Sequence, residues 1–147
     1  MLNKDLREFI ELLNSTGVEF LIAGGHAVGF HGHPRFTGDI DIVVRPVAAN
    51  ASRVLEAIRR FGFDDLKLDV SDFTAIGRVI QLGYPPNRID LLTSLSGVTW
   101  QEADSTAVAA DLDGVPVRFL GRSELIRNKR ATGRAQDLAD LEKLEGN

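Results

Sequence analysis

The sequence predicts a single α+β domain with a mixed β-sheet of about four to six strands, flanked by helices and followed by a C-terminal helical segment. Apolar runs of strand length alternate with segments in which apolar residues recur every three or four positions. Gly, Pro, Asn and Asp separate these segments, as turns require. The chain has 147 residues, of which 44% are hydrophobic and 26% charged, as in an ordinary globular domain. We expect one domain over residues 1–147, with a core over about 18–120 and C-terminal helices over about 123–145.

Composition excludes several classes of protein. The chain has no cysteine, so neither a disulfide scaffold nor a thiolate metal site can form. No apolar run reaches about eighteen residues and no charged leader precedes the first helix, so we expect a cytoplasmic protein without membrane insertion. The net charge of −4 argues mildly against a protein that grips long nucleic acid, because phosphate neutralisation supplies much of that affinity.

The first half of the chain predicts helices and strands in alternation. Apolar periodicity, Gly17 as a stop signal and Gly62 as a C-terminal cap set most of the boundaries. The predicted elements are an amphipathic helix over residues 2–13, a strand over 18–23, a short helix over about 26–30, a strand over 39–44 and an amphipathic helix over 47–61.

The second half predicts further strands and two helices. Leu66, Leu68 and Val70 alternate with polar residues and indicate a short strand. Residues 78–82 and 88–92, separated by a turn at 84–87, predict a hairpin-like pair. Residues 108–112 and 115–120 predict edge strands around an Asp-Gly turn, and Pro116 favours an edge position for the second.

The C-terminal helices follow these strands. Ser123 is the predicted N-cap of a helix that runs to about residue 132. Gly133 breaks that helix, and a final amphipathic helix continues from Ala135 to Leu144. The pattern of residues 100–110 is mixed and predicts no single element.

Two carboxylates open the second strand. Strand side chains alternate between faces, so Asp39 and Asp41 point the same way while the intervening apolar residues pack behind them. Two like charges on one face repel, and solvent, protonation or a bound cation must offset that repulsion. A hard divalent ion such as Mg²⁺ suits such a pair. A solvated surface pair is the alternative.

Polar residues upstream strengthen the cation interpretation. Gly24 and Gly25 end the first strand, and a glycine pair lets backbone N–H groups approach a phosphate with no Cβ in the way. Arg35 and Thr37 share parity with the two aspartates, so they line one wall wherever the backbone is extended.

Asp90 is the candidate third carboxylate, and Asp69 is the second choice. Apolar neighbours surround Asp90 on its predicted strand, where an unpaired charge would be costly. Arg88 lies two positions away on the same face, so the residues alone leave a metal ligand and a structural ion pair equally open. His26, His31 and His33 lack the spacing of a zinc site, so turn hydrogen bonds or nucleotide contacts are the favoured roles.

These motifs resemble a known family. Gly-Gly-x-Ala at residues 24–27, His-Gly at 31–32 and Arg-x-Thr-x-Asp-Ile-Asp at 35–41 are similar to the nucleotidyltransferase superfamily typified by DNA polymerase beta. Within it they resemble the abortive-infection toxin branch, called AbiEii-like, and its minimal nucleotidyltransferase relatives. Residues 88–92 resemble the strand of the third carboxylate, and residues 125–129 with 134–137 resemble the C-terminal helical segment. The resemblance covers about residues 18–142 and implies a nucleotidyltransferase-like fold.

The resemblance implies transfer of a nucleoside monophosphate from a nucleoside triphosphate to an unidentified acceptor, which is a small molecule, a protein or an RNA. Two Mg²⁺ ions, or Mn²⁺ in their place, would activate the attacking oxygen and stabilise the leaving one. Asp39, Asp41 and Asp90 would bind the metals. The implied nucleotide-binding residues are Gly24, Gly25, Arg35, Thr37 and Lys129.

Three other functions remain possible interpretations of these motifs, apart from a nucleotidyltransferase with a small-molecule or protein acceptor. The first is a catalytically silent module that acts as an antitoxin or binds a partner, since the branch occurs in toxin–antitoxin pairs. The second is a metal-dependent phosphohydrolase that uses the same carboxylates. The third is an RNA-modifying toxin, which the acidic charge balance disfavours. A second copy of the chain or a toxin–antitoxin partner would complete the site.

Overall fold

A computed structural model describes residues 2–63 and 67–146. The helices in these residues are α1 (Lys4–Ser15), α2 (Gly24–Phe30), α3 (Ala48–Phe61), α4 (Val70–Thr74), α5 (Trp100–Thr106), α6 (Arg122–Thr132) and α7 (Ala135–Glu145). The strands are β1 (Phe20–Ala23), β2 (Asp39–Val44), β3 (Val79–Leu82), β4 (Arg88–Leu92), β5 (Val108–Leu112) and β6 (Val115–Phe119).

The strands form one mixed sheet in the order β3-β4-β2-β1-β6-β5. β2 lies between a parallel neighbour, β4, and an antiparallel neighbour, β1. β1 pairs in parallel with β6, while β3 and β5 form antiparallel hairpins with β4 and β6. The predicted α+β class, the mixed sheet and the C-terminal helices are confirmed.

One face of β2 lies in the core, and the other face is polar where Asp39 and Asp41 begin the strand. Ile40, Ile42 and Val44 are fully buried, while Asp39 and Asp41 between them are partly exposed. Helix α1 and helix α3 contribute buried apolar side chains, and their aromatic rings Phe9 and Phe61 meet edge to face at 5.2 Å between centroids. The alternation predicted for β2 is therefore confirmed, and it turns two carboxylates away from the core.

The region before β3 differs from its prediction. Leu66 lies outside the described residues, but Val70 begins helix α4 and does not continue a strand. Asp69 is the N-cap of that helix, because its carboxylate accepts the backbone N–H of Ser71 at 2.9 Å. The carboxylate of Asp72 accepts the N–H of Asp69 in return, which completes a capping box. The cap signal overrode the apolar alternation, so the strand prediction was wrong.

The start of α6 also differs from its prediction. Ser123 is not the N-cap, because the helix begins at Arg122 with Gly121 as its cap. The N–H of Leu125 donates to the carbonyl of Gly121 at 2.8 Å, so the helix starts two residues earlier than predicted. A Cβ on Gly121 would lie 2.9 Å from the carbonyl oxygen of Thr106, so close packing against the end of α5 favours glycine there.

The position of β6 corrects the interpretation of Pro116. β6 is an inner strand, between β1 and β5, so the predicted edge position was wrong. β1 meets β6 only near Phe119, and the carbonyl of Pro116 accepts a hydrogen bond from the side chain of Asn14 at 2.8 Å. Proline is tolerated because β1 does not reach that end of β6.

Other boundaries move by one or two residues. β1 begins at Phe20, β3 at Val79 and α2 at Gly24, while β6 ends at Phe119. Residues 100–106, for which no element was predicted, form α5, which Thr99 and Glu102 cap reciprocally. Within the described ranges, none of the helices has both the length and the apolar character needed to cross a membrane.

Candidate active site

Asp39, Asp41 and Asp90, here called the triad, converge at the centre of the sheet. Strands β2 and β4 run in parallel with Asp39 opposite Arg88 and Asp41 opposite Asp90, so all four side chains share one face. One carboxylate oxygen from each aspartate lies within 4.8 Å of the others. Asp90 is buried and the other two are partly exposed. Three hard oxygen donors at this spacing fit a divalent ion such as Mg²⁺ or Mn²⁺.

Arg88 bridges two members of the triad. Its Nε and Nη2 atoms donate to the two oxygens of Asp90 at 2.8 and 3.0 Å, and Nη2 also donates to Asp39 at 2.6 Å. These hydrogen bonds and the charges of both aspartates raise the pKa of the Arg88 guanidinium. The two outcomes left open for Asp90, ligand geometry and an ion pair with Arg88, thus occur together.

Asp41 is the triad member without a cationic partner in contact. It accepts no side-chain or capping hydrogen bond from the residues that the structure describes. Burial, followed by the charges of Asp39 and Asp90, raises the pKa of Asp41 to about 6. The site therefore holds more negative charge than the protein neutralises.

Gly24 packs directly on the polar face of β2, and Gly25 packs on the segment before that strand. Ala23 lies opposite Asp41 in the β1–β2 pairing, so the chain turns at Gly24 immediately beside that carboxylate. Gly24 has a φ of +61°, and a Cβ there would lie 2.1 Å from Oδ2 of Asp41. A Cβ on Gly25 would lie 3.1 Å from Cβ of Thr37. Glycine is thus required at Gly24 by both conformation and space.

Thr37 supports the first carboxylate. Its hydroxyl lies 2.9 Å from the carbonyl oxygen of Asp39 and 3.2 Å from Oδ1 of the same residue. Because a hydroxyl has one hydrogen, that donor is shared within Asp39. The side chain of Thr37 therefore fixes the start of β2 at the triad.

A second charged group, here called the α7 cluster, faces the triad across the cleft. It consists of Arg35, Lys129, Arg134, Asp137 and Asp140. Both aspartates lie on α7 and are at most 1% exposed. Asp140 accepts Arg35 at 2.9 and 3.0 Å and Lys129 at 2.9 Å, while Asp137 accepts Lys129 at 3.1 Å and Arg134 at 2.8 Å. The cluster joins α7 to α6 and to the segment before β2.

The ionisation of the α7 cluster is opposite to that of Asp41. Burial favours a raised pKa for Asp137, but hydrogen bonds from Arg134, Thr132 and Lys129 outweigh burial and hold its pKa well below the ordinary value. Burial acts likewise on Asp140, where Arg35 and Lys129 lower the pKa. Both carboxylates therefore stay ionised at neutral pH.

The triad and most of the α7 cluster line one cleft of about 1010 Å³. All the residues predicted for the site lie along it: Gly24, Gly25, Arg35, Thr37, Asp39, Asp41, Asp90 and Lys129. The Lys129 side chain is only 4% exposed and its ammonium contacts Asp137 and Asp140, so it adds charge to the wall of the cleft from a buried position.

Sequence reasoning did not assign Arg134 to the site. Its side chain is 74% exposed, lines the cleft and holds Asp137 from the solvent side. The hydrogen bond that Arg134 donates to Asp137, with contributions from the charges of Asp137, Asp41 and Asp39, raises the pKa of Arg134. Its place beside the C-terminal motif was visible in the sequence, but the direction of its side chain was not.

The histidines form no cation site with the acidic groups of the described chain, where the triad is the sole cluster of metal-ligand type. His31 Nε2 lies 2.8 Å from the carbonyl oxygen of Leu120, so this hydrogen bond joins the end of α2 to the segment after β6. His26 Nδ1 is buried without a hydrogen-bond partner, and burial lowers the pKa of this imidazole.

Comparisons with known proteins give similarity at the level of structure. No family model and no curated protein matches the sequence. The antibiotic-resistance factor ANT(2'')-Ia in solution matches with a TM-score of 0.62 and 13% identity over 95% of this chain and 80% of its own. A Thermotoga maritima protein proposed to be a nucleotidyltransferase matches with a TM-score of 0.61 and 17% identity over 96% of this chain and 90% of its own. The crystal structure of ANT(2'')-Ia with adenylyl-2''-tobramycin matches with a TM-score of 0.59 and 13% identity over 96% of this chain and 91% of its own.

These similarities define a class of fold. The chain has a nucleotidyltransferase-like fold, with the sheet and the flanking helices that the sequence resemblance implied. The AbiEii-like branch within that superfamily stays a prediction.

Proposed function

We propose that this protein is a metal-dependent nucleotidyltransferase, which moves a nucleoside monophosphate from a nucleoside triphosphate to an acceptor oxygen. The observation that carries the proposal is the triad, in which three carboxylates from two parallel strands place oxygens within 4.8 Å of one another. The similar fold of ANT(2'')-Ia, which was crystallised with adenylyl-2''-tobramycin, supports it and favours an adenine nucleotide as the first donor to test.

Asp39, Asp41 and Asp90 are the proposed metal ligands, and two Mg²⁺ ions, or Mn²⁺, are the proposed cofactors. When bound, these ions would polarise the α-phosphate and make the acceptor oxygen more nucleophilic. Thr37 holds Asp39 at the start of β2, and Gly24 lets the backbone lie against Asp41. The residues thus orient ligand oxygens before any substrate arrives.

The opposite wall of the cleft is the proposed triphosphate side. Gly24, beside the triad, and Gly25 leave the backbone open to a phosphate, while Arg35, with Lys129 beneath it, makes the opposite wall positive. In the reaction, the acceptor oxygen bonds to the α-phosphorus and a hydroxyl acceptor releases its proton to solvent, while the bond from that phosphorus to the oxygen bridging the α- and β-phosphates breaks and pyrophosphate leaves. Thr37 and Arg35 are the proposed donors to the phosphate oxygens. The N–H groups of Arg35 that now donate to Asp140, and the hydroxyl of Thr37 that now lies near Asp39, would be shared with the phosphates.

One observation favours the alternative of a catalytically silent binding or antitoxin module. Arg88 already neutralises part of the triad through three hydrogen bonds to Asp39 and Asp90. In a silent module this arginine would stay in place permanently, and no cation would enter.

The test is transfer of an α-labelled nucleoside triphosphate. The protein, Mg²⁺ and a set of hydroxyl and phosphate acceptors would be incubated with each labelled nucleotide. Wild type would be compared with Asp41→Asn and with the control Asp104→Asn. Asp104 is an exposed carboxylate on α5 that pairs with Arg118 on β6. We expect label on an acceptor with wild type and Asp104→Asn, and a loss of at least about a hundredfold with Asp41→Asn.

Other results would identify the alternatives. Equal labelling by all three proteins would indicate a contaminating enzyme. Label released only as free nucleoside monophosphate would indicate a phosphohydrolase. Absence of labelling with every acceptor would support the silent module.

A further inference from the structure

The guanidinium of Arg88 lies where its N–H groups contact the carboxylate oxygens that are proposed to bind a metal ion. It lies opposite Asp39 in the β2–β4 register and two residues before Asp90 on the same strand face. Its donors reach both oxygens of Asp90 and Oδ2 of Asp39, and Oδ1 of Asp39 faces the hydroxyl of Thr37. All four oxygens of these two carboxylates therefore have a donor before any metal binds.

The contacts of Arg88 leave the site under-neutralised. One guanidinium faces three carboxylates, and it touches only two of them. The guanidinium is 27% exposed and lines the open cleft, so it can leave without unpacking the core. Lys129 in the α7 cluster is different, because its ammonium is buried between two aspartates on α7.

A divalent ion and a guanidinium cannot both lie among these oxygens at low energy. Like charges a few ångströms apart in a partly buried site repel strongly. A cation that binds the triad must therefore move Arg88, and the freed guanidinium needs a new anionic partner. Triphosphate oxygens on the facing wall of the same cleft would supply one.

We propose that Arg88 is a displaceable internal counter-ion, which holds Asp39 and Asp90 in ligand geometry until a divalent cation expels it. This inference rests on the proposed metal-binding function and adds how that site is regulated. The cation affinity of the free protein is set by competition with Arg88, so the cation alone binds weakly. Cation and nucleotide then bind cooperatively, because the phosphates take up the expelled guanidinium.

The test is Mn²⁺ binding, measured by the electron paramagnetic resonance signal of free Mn²⁺, without nucleotide. We expect Arg88→Gln to lower the dissociation constant at least about tenfold, because it removes the competing charge. Arg78→Gln is the matched control, since Arg78 lines the same cleft, pairs with Asp72 and touches none of the triad. It should change the dissociation constant less than about twofold, since the Arg78 side chain is exposed and solvent screens its charge.

A second measurement uses the unaltered protein. In ¹H–¹⁵N spectra, the Nε–H signal of Arg88, assigned by its absence in Arg88→Gln, should move or broaden when Mg²⁺ is added. If Mg²⁺ shifts the backbone signals of β2 and β4 while the Arg88 signal stays unchanged, the inference is wrong.

The outcomes separate the inference from the proposed function. Mn²⁺ binding that is unchanged or weaker in Arg88→Gln, or equally strengthened in Arg78→Gln, would overturn the counter-ion role and leave the metal site intact. Failure of both wild type and Arg88→Gln to bind Mn²⁺ would overturn the metal site and the inference with it. Mn²⁺ binding by Arg88→Gln but not by wild type would support the counter-ion role, because Arg88 would then exclude the ion completely when no nucleotide is present.

Discussion

The triad and the α7 cluster face each other across one cleft, and both are built from aspartates, yet their charges are balanced differently. In the α7 cluster, two fully buried carboxylates contact three cations. In the triad, one arginine serves three carboxylates and contacts only Asp39 and Asp90, and the site is partly open. The pKa values diverge accordingly, since that of Asp41 is raised to about 6 while those of Asp137 and Asp140 are lowered.

This contrast separates structural charge from functional charge. Fully paired buried carboxylates bind helix α7 to the rest of the domain and have nothing left to attract a ligand. Carboxylates held together with insufficient positive charge raise the energy of the free protein, and a bound cation can lower it. Three predictions test the contrast, in order of expected effect.

The largest effect is expected from Asp140→Asn. The change leaves Arg35 and Lys129 without a full partner in a buried setting, so the free energy of unfolding should fall by about 3–5 kcal/mol. Denaturation by urea measures it. Glu19→Gln is the control, because it breaks an exposed ion pair with Arg45 and should cost less than about 1 kcal/mol.

The pH dependence follows from the lowered pKa of Asp140. A carboxylate with a folded-state pKa below its unfolded value stabilises the protein above the unfolded value, about 4, and loses that stabilisation as the pH falls further. The deficit of Asp140→Asn should thus persist from pH 7 to about pH 4 and shrink below it. A deficit comparable to that of Glu19→Gln would mean that the α7 cluster does not anchor the helix.

An effect of opposite sign is expected from Asp41→Asn in metal-free protein. Because the pKa of Asp41 is raised to about 6, its ionisation destabilises the folded state at neutral pH. The variant should be more stable than wild type at pH 7.5 by about 1–3 kcal/mol. The gain should shrink as the pH falls from about 6 to about 4, since the folded wild type then takes up a proton.

Thermal denaturation over this pH range, with a chelator present, measures the effect. Asp137→Asn is the comparator, since its carboxylate has a lowered pKa and its loss should destabilise the protein. A gain for Asp41→Asn that is independent of pH would contradict the proposed charge imbalance at the triad.

The smallest effect on stability is expected from Arg134→Gln. The guanidinium is largely exposed, and Asp137 keeps Lys129 and Thr132 as partners, so the free energy of unfolding should change by less than about 1 kcal/mol. Nucleotide affinity should nevertheless weaken severalfold if Arg134 contacts phosphate, as isothermal titration with a triphosphate and Mg²⁺ would show. Arg127→Gln, which breaks an exposed pair with Glu102, should leave that affinity unchanged.

Local pattern was sufficient for most elements and for the triad. Alternation predicted that Asp39 and Asp41 share a face, and the apolar surroundings of Asp90 predicted its burial. The errors at Val70 and Ser123 arose where two local signals competed, because a capping box displaced an alternating run and a glycine displaced a serine cap. The inner position of Pro116 depended on how far β1 extends, which no property of β6 itself reveals.

The sequence by itself determined that carboxylates and glycines meet at the end of a strand, because strand periodicity and the special conformation of glycine act over a few residues. Only the tertiary structure decided how those charges are balanced. Arg88 reaches Asp39 because β2 and β4 are parallel in one register, and Lys129 is buried because α7 folds back over it. Coulomb interactions depend on distance in space, so the same residue types became a cation site on one wall and a structural anchor on the other.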